Sequence, residues 1–403
     1  MARRIGIKDV AAAAGVSTAT VSHVLNRVEG KRISEETRQR VWKAAGELGY
    51  APNGLARGLR MQRSQTIGFV SDEIATTPHA GRMILGAQEA AAAEGLVLLL
   101  VNTSGDAELE RASIDMLLQR RVDGVLYAAM YHRTVELPDA LRATPTVLLD
   151  AGSADPAVPS VVPDEVQGGY AAVRELTDHG HRRIGMIVQT VDLPARQGRL
   201  EGYRRALAEV GVVYDPSLVA AETAVPFNTV GGDVEAGYRA ARRLLTTERR
   251  PTALFCFNDR MAAGAYRAAA ELGLTIPGDL SVIGFDNQEL VCESVHPQLS
   301  TVQLPHYEMG ARAVAQLLAL TKSPGRPPGP GMNELLPCPL VARASVAGGG
   351  GGGARGRPPA RPHARPPRER GVYSYVSRVR GGGGALGAAP PPPPPRGPPH
   401  PTP

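Results

Sequence analysis

Seven short apolar runs alternate with amphipathic helical stretches between residues 64 and 347: TIGFV, LVLLLVN, VDGVLYA, TVLLDA, RIGMIVQ, TALFCFND and LSVIGFD. Alternation of this kind implies parallel sheets covered by helices on both faces, with ligands held at the carboxyl ends of the strands. About 220 residues of it exceed what one such sheet usually needs, so the pattern predicts two similar lobes with a cleft between them. Polar residues at strand ends are then the candidates for that cleft. Asn258 and Asp259 terminate TALFCF and open a helix, Asp286 terminates SVIGF, and Arg199 lies in RQGRLEGYRRAL just after another strand. Carboxylates, an amide and a fork-shaped guanidinium can together bond several ligand hydroxyls. For Asn258 and Asp259 a plain helix-capping role stays open beside the ligand role.

Charge is distributed unevenly. Residues 1–63 hold 12 Lys/Arg against 5 Asp/Glu, residues 348–403 hold nine Arg against one Glu, and the 284 residues between them carry 24 basic and 33 acidic groups. A basic front piece on an acidic globular body points to nucleic acid as a partner. The opening MARRIGIKDV has no apolar signal region and no run of 18 apolar residues occurs, so a soluble, cytoplasmic protein with no membrane contact is expected. Cys256, Cys292 and Cys338 stand far apart, with neither a metal spacing nor a disulfide framework. Neither a metal nor a cofactor is expected.

The first fifty residues read as three short helices. In KDVAAAAGVS, Gly6 is placed as N-cap with Asp9 three residues on, and Gly15 sits where a left-handed residue ends the helix. Ser17 caps a second helix at once, and so short a turn forces the two to cross steeply as a helix-turn-helix. A third helix, SEETRQRVWKAAGELGY, has Ser34 as N-cap, Val41, Ala45 and Leu48 along one face, and Gly49 as stop. In the second helix Val21, Val24 and Leu25 form the buried stripe, which leaves Thr18, Ala19, Ser22 and His23 facing outward. Short hydroxyls suit phosphates and base edges, Ala19 suits a thymine methyl, and His23 can bond a purine edge. A solvated face of an ordinary three-helix bundle is the bland alternative.

VSTATVSHVLN, the preceding IKDVAAAAGVS and the later YAPNGLARGLR resemble the lac, galactose and purine repressor family of bacterial transcription factors, and the resemblance extends from residue 5 to about 346. It implies base reading by Thr18, Ala19 and His23, and phosphate contacts by Ser17, Thr20, Ser22 and Asn26. It also implies a hinge over residues 50–63 that folds in the minor groove, where Leu59 wedges between base pairs and Arg57 and Arg60 meet phosphates or the groove floor. Read alone, that hinge is a helix of about eight residues, too short to be stable in water, and Gly54 and Gly58 weaken it by roughly 1 kcal/mol each.

The resemblance further implies a body with the bilobed fold of periplasmic binding proteins, the chain crossing between lobes near residues 164, 290 and 323. Arg199, Asn258, Asp259 and Asp286 match its effector site. His79, with Pro78 before it, stands where many members place a stacking aromatic, and Asp164 matches an aspartate of its motif although Glu165 replaces the usual amide. GHRRIG, residues 180–185, is family scaffold.

Fourteen glycines and fifteen prolines among residues 348–403 cannot bury a core, so a disordered tail is expected there. The family's tetramers use a C-terminal leucine heptad, and none is present, which favours a homodimer. The expected architecture is an all-α helix-turn-helix domain (1–49), a hinge (50–63), a bilobed α/β ligand-binding and dimerisation domain (64–347) and the tail (348–403). The expected function is a transcription regulator, a repressor, that binds a pseudo-palindromic operator in double-stranded DNA under control of a small-molecule effector, a sugar or related metabolite. A periplasmic solute-binding protein would need an export signal and has no use for residues 1–60. An enzyme would need a catalytic constellation, and no phosphate loop, G-x-S-x-G elbow or metal-spaced cluster occurs.

Overall fold

The computed structural model describes residues 5–26, 30–50, 64–78, 80–224, 230–322 and 332–348. The N-terminal helices are α1 (Ile7–Ala14), α2 (Thr18–Leu25) and α3 (Glu35–Glu47). Each boundary has a local cause. The Gly6 amide donates to Asp9 Oδ2 at 2.8 Å, Gly15 takes φ +61° beyond the end of α1, Ser17 Oγ accepts from the Thr20 amide at 3.1 Å, and Ser34 Oγ accepts from the Thr37 amide at 3.3 Å. Helices of eight residues do not persist alone in water. Here they share a core of Val10, Ala14, Val21, Val24, Leu25, Val41 and Ala45.

The body consists of two parallel sheets. The first contains β1 (Thr66–Ser71), β2 (Val97–Asn102), β3 (Gly124–Thr134), β4 (Thr146–Gly152), β5 (Ser160–Pro163) and β11 (Asn333–Leu336), in the order β11-β5-β4-β3-β1-β2. Helices α4 (Gly81–Ala93) and α5 (Ala107–Gln119) are the crossovers on either side of β2. The second contains β6 (Ile184–Gln189), β7 (Val219–Glu222), β8 (Ala253–Cys256) and β9 (Ser281–Ile283), in the order β7-β6-β8-β9. Around it lie α6 (Glu165–Asp178), α7 (Pro194–Glu209), α8 (Val230–Leu245) and α9 (Asp259–Glu271). Strand order reverses between β1 and β3 in one lobe and between β6 and β8 in the other, and in such sheets the crevice at the carboxyl ends of those strands is where ligands sit.

The chain changes lobe three times. The first crossing, at Asp164 between β5 and α6, lies where the sequence places it. The other two do not lie near 290 and 323. The turn of helix α10 (Glu289–Cys292) stays with the second lobe, as does β10 (Thr301–Val302), whose neighbours Ser300 and Gln303 bridge to Ile283 and Asp286. Only at α11 (His306–Lys322), which packs on α4 and β4, does the chain return to the first lobe. It leaves again after β11, and β12 (Leu340–Val341) pairs antiparallel with β10. Among the described residues, no helix is long and apolar enough to cross a membrane.

His181 of the GHRRIG stretch has a scaffold role. It is buried, with Nδ1 at 2.9 Å from Thr252 Oγ1 and Nε2 at 2.9 Å from both Ser281 Oγ and the Ala347 carbonyl, so it ties the end of the body into the second lobe.

Candidate functional site: a reading helix and an interlobe cleft

On α2, Ser17, Thr18 and Ala19 are exposed, while Thr20, Ser22, His23 and Asn26 are half-buried. Thr18, Ala19, Ser22 and His23 share one side by helical spacing, opposite the stripe that packs on α1 and α3. The residues matched to phosphates are bonded to one another. Ser17 Oγ and Thr20 Oγ1 lie 2.9 Å apart, and Asn26 Nδ2 donates to the Ser22 carbonyl at 2.7 Å and to Ser22 Oγ at 3.3 Å. These contacts fix the ends of the helix and leave Thr18 and Ala19 as its bare, uncharged tip. Arg57, Leu59 and Arg60, the hinge, the tail from residue 349 onward, and His79 lie outside the described residues.

The second cluster forms at the strand ends of both lobes. Arg199, on α7, is 4% exposed and at its centre. Its Nε donates to Glu165 Oε2 at 2.7 Å and its Nη1 lies 3.6 Å from Asp286 Oδ1, with a further bond from Nη1 to the Phe257 carbonyl. The guanidinium is stacked at 3.7 Å from the centroid of Phe285 and 4.5 Å from that of Phe257. Planar, delocalised and weakly hydrated, it is the cation suited to such burial. Close helix packing puts Arg199 there. A Cβ on Gly202 would lie 2.3 Å from the Val166 carbonyl oxygen and 2.4 Å from the Tyr170 amide nitrogen, so glycine lets α7 cross α6 at contact distance, one turn beyond the Arg199–Glu165 pair.

Asp286, three residues beyond β9, takes φ +103° and Asn287 follows at φ +54°, while Asp150, at the register shift between β3 and β4, takes φ +52°. Such conformations are unfavourable for non-glycine residues and are held where the surroundings over-determine them. Gln288 Nε2 donates to Asp286 Oδ2 at 2.9 Å. Burial pushes the Asp286 carboxyl up to about 6 against the opposing pull of Arg199. Burial, with Glu165 nearby, raises Asp150 well above the usual carboxylate range, and burial lowers the pKa of His132, which keeps that imidazole neutral at pH 7.

Two neighbouring spaces with shared lining residues open onto this cluster. An inner chamber of about 50 Å³ is bounded by His132, Asp150, Glu165, Arg199, Phe257 and Asn258 among others. An outer cavity of about 390 Å³ reaches Thr77, Pro78 and Arg82 on the first lobe and Gln288 and Gln303 on the second. Arg260, Asp286 and His306 line both. The outer volume suits a ligand of one or two rings.

The structure brings Arg199, Asn258 and Asp286 together and Pro78 to the outer rim. It separates Asp164 and Asp259 from them. Asp164 caps α6, its Oδ1 accepting from the Gln167 amide at 2.9 Å, and it lines an open depression with Tyr170 and Arg205 instead of the cleft. Successive residues at a helix start diverge by about 100°, so Glu165 reaches the chamber and Asp164 does not. Asp259 is fully buried and lines neither space. Its Oδ1 accepts from Thr301 Oγ1 at 2.5 Å and its Oδ2 from the Gln288 amide at 2.7 Å, which anchors the loop carrying Asp286. Burial pushes it up to about 7. Asn258 has a double position: it lines the chamber, caps α9 through the Met261 amide at 2.8 Å, and donates to Asp233 at 3.2 Å.

His132, Asp150, Glu165 and Arg260 were not singled out by the sequence. Asp150 had a signal, since it stands near the end of TVLLDA much as Asp286 stands at the end of SVIGFD. Arg260 had none, because its role follows from the ion pair its Nη2 makes with Asp233 at 2.9 Å. Among the described residues no group of three or more His, Cys, Asp or Glu is placed to hold a metal ion.

Two short helices joined by a tight turn, the second with a bare reading face, in a chain whose two-lobed body encloses a polar cavity at its strand ends, define a DNA-binding regulator that responds to a small molecule. Residues 6–53 match the family described as bacterial regulatory proteins, lacI family, and residues 173–346 match the periplasmic binding protein-like domain. The HTH-type transcriptional repressor PurR of Erwinia tasmaniensis is 38% identical over 322 residues, 77% of this chain and 89% of that protein. The chain belongs to the lacI family of transcription regulators. Among solved structures, the lac repressor dimer bound to operator and the anti-inducer ONPF is similar at a TM-score of 0.67 and 26% identity, covering 86% of this chain and all of that one. The regulator CelR in complex with cellobiose is similar at a TM-score of 0.59 and 29% identity, covering 85% of this chain and all of that one.

Proposed function

We propose that this chain is a homodimeric, non-enzymatic, cytoplasmic repressor that grips a pseudo-palindromic operator and whose grip is set by a sugar or related metabolite held between its lobes. One observation carries this reading: the second-lobe cluster of Arg199, Glu165 and Asp286 faces His132 and Asp150 of the first lobe across a chamber beside a cavity of ligand size, in a chain that also bears an exposed DNA-reading helix. In this reading Thr18, Ala19 and His23 read base edges, Ser17, Thr20, Ser22 and Asn26 hold phosphates, and Arg57, Leu59 and Arg60 act in the minor groove between half-sites. Arg199, Asn258 and Asp286 bond the effector, and His79 takes the part of the family's stacking aromatic. The cellobiose held by CelR supports a sugar-like effector.

The dimer is supported by an exposed apolar margin on the first lobe. Its edge strand β2 presents Val97 at 59% and Leu100 at 41% exposure, and the flanking helices add Leu85 on α4 and Leu109 and Met116 on α5. An edge strand this apolar, with unpaired backbone groups, is unstable against association unless a partner covers it. Ligand-driven movement of the lobes that carry this margin would then change the spacing of the two reading helices. The effector's leverage equals the difference in its affinity for the DNA-competent and incompetent arrangements.

The test is binding of the full-length protein to the DNA upstream of its own gene and to a scrambled duplex at moderate salt. Preference for the native fragment on the order of a thousandfold is expected, together with a shift when a panel of sugars and nucleobases is added. Equal affinity for both duplexes under every condition refutes the reading.

A further inference from the structure

We propose that the effector carries a protonated amine, an amino sugar being the chemical class, and that this amine docks in the inner chamber against Asp150. The inference rests on the small-molecule reading above and narrows it. Asp150 is 2% exposed and lines the chamber, and its Oδ1 has no hydrogen-bond partner among the described residues. Glu165 and Asp286 line the same space. The facing cations are already engaged: Arg199 is bonded to Glu165 at 2.7 Å and shared with Asp286 at 3.6 Å, and Arg260 lies 2.9 Å from Asp233. Four carboxylates are thus set against two guanidinium groups, with the imidazoles of His132 and His306 also on the lining. His132 does not make up the difference, since burial keeps it neutral, and its Nδ1, 3.8 Å from Glu165 Oε1, is beyond hydrogen-bond reach.

A buried carboxylate without a counter-charge is costly, and it is relieved either by a proton or by a cation. Burial and the nearby Glu165 push the Asp150 carboxyl well above the usual carboxylate range, which favours its neutral form over an uncompensated charge. A ligand hydroxyl that donates to ionised Asp150 leaves that charge uncompensated. An ammonium brings three donors and the missing charge. Size agrees: a chamber of about 50 Å³ admits a head group and excludes a sugar ring, while the adjoining 390 Å³, sharing Asp286, admits the ring and its hydroxyls. An ammonium favours the ionised carboxylate over the neutral form, so the association is expected to release protons to the buffer.

Calorimetric titration of the full-length protein with glucosamine, galactosamine and mannosamine, each beside its parent hexose, tests this at pH 7 in phosphate and in HEPES. At least one amine is expected to bind about tenfold or more tightly than its parent, with a buffer-dependent heat of the sign of proton release. Asp150→Asn is expected to bring the amine-to-parent ratio close to one. Should that variant bind nothing, the wild-type ratio and the proton release decide by themselves. A parent hexose that binds as tightly as its amine, the absence of binding by all three amines, or a preference that survives Asp150→Asn overturns the inference. A neutral sugar that binds and shifts operator affinity defeats the amine alone and leaves the proposed function standing, whereas failure of every small molecule to shift operator affinity defeats the proposed function.

Discussion

At the scale of single residues, the cleft is governed by charges that have little water. The Arg199–Glu165 pair is fully buried, so its worth depends on both partners being present. Removing the cation alone, in Arg199→Met, should destabilise the body by about 3–5 kcal/mol because Glu165 is left uncompensated. The double variant with Glu165→Gln should recover most of the loss, and urea unfolding of the two proteins compares them directly. A double variant no more stable than the single one would show that packing between Phe257 and Phe285, and not charge, was lost. Asp286 makes a second prediction. Its carboxyl titrates at 3.8 when unperturbed and at about 6 in the fold. Between those values the native state holds a proton that the unfolded chain has released, so the stability from this group is complete below 3.8 and gone above about 6. Wild-type protein should therefore lose stability relative to Asp286→Asn as pH rises through this window, and parallel urea midpoints across it would contradict the raised value. What the sequence could show here was position. Strand ends identified Asn258, Asp286 and Arg199, but nothing in a linear pattern shows that Glu165 turns inward while Asp164, one residue earlier, caps the helix.

At the scale of elements, legibility followed locality. Gly6 with Asp9, Ser17, Ser34 and Gly15 act through bonds within four residues, so their roles could be read before any tertiary structure was known. The crossings assigned near 290 and 323 failed for the complementary reason. Strands of two residues, Thr301–Val302 and Leu340–Val341, have no period to read, and they belong to the second lobe through tertiary contacts: pairing with each other, bridges to β9 and its end, and packing of Val302 and Leu340 in that lobe's core. Helix crossings also escape the sequence, because a glycine that permits contact resembles one that merely tolerates exposure. Gly202→Ala should be destabilising by about 1–3 kcal/mol or more, since the added carbon meets backbone atoms of Val166 and Tyr170 that cannot swing aside. Calorimetric melting with and without effector would show both a lower Tm and, because Arg199 is carried on the same helix, weaker effector binding. An unchanged Tm would mean that α6 and α7 separate without cost.

At the scale of the whole molecule, the apolar margin at β2 read in the sequence as one more core strand, LVLLLVN, because composition does not distinguish burial against a neighbouring element from burial against a second chain. The fold makes the distinction. In β2 only intermediate and exposed positions occur, whereas β4 is buried throughout all but its last residue. If this margin joins two copies, operator affinity depends on it, since each copy offers one reading helix and the second half-site is gained at the high effective concentration that linkage provides. Leu100→Asp places a charge on the exposed face of the edge strand without disturbing the lobe beneath, where Leu100 is already 41% exposed. The variant is expected to sediment near 42.4 kDa instead of twice that mass, to unfold with the wild-type urea midpoint at micromolar concentration only if the monomer is stable by itself, and to lose at least about a hundredfold of operator affinity. Binding to nonspecific duplex should fall far less, because it depends chiefly on phosphate contacts that each copy makes alone. A monomer that still prefers the operator as strongly as the wild type would separate recognition from dimerisation, and the apolar edge would then need another occupant.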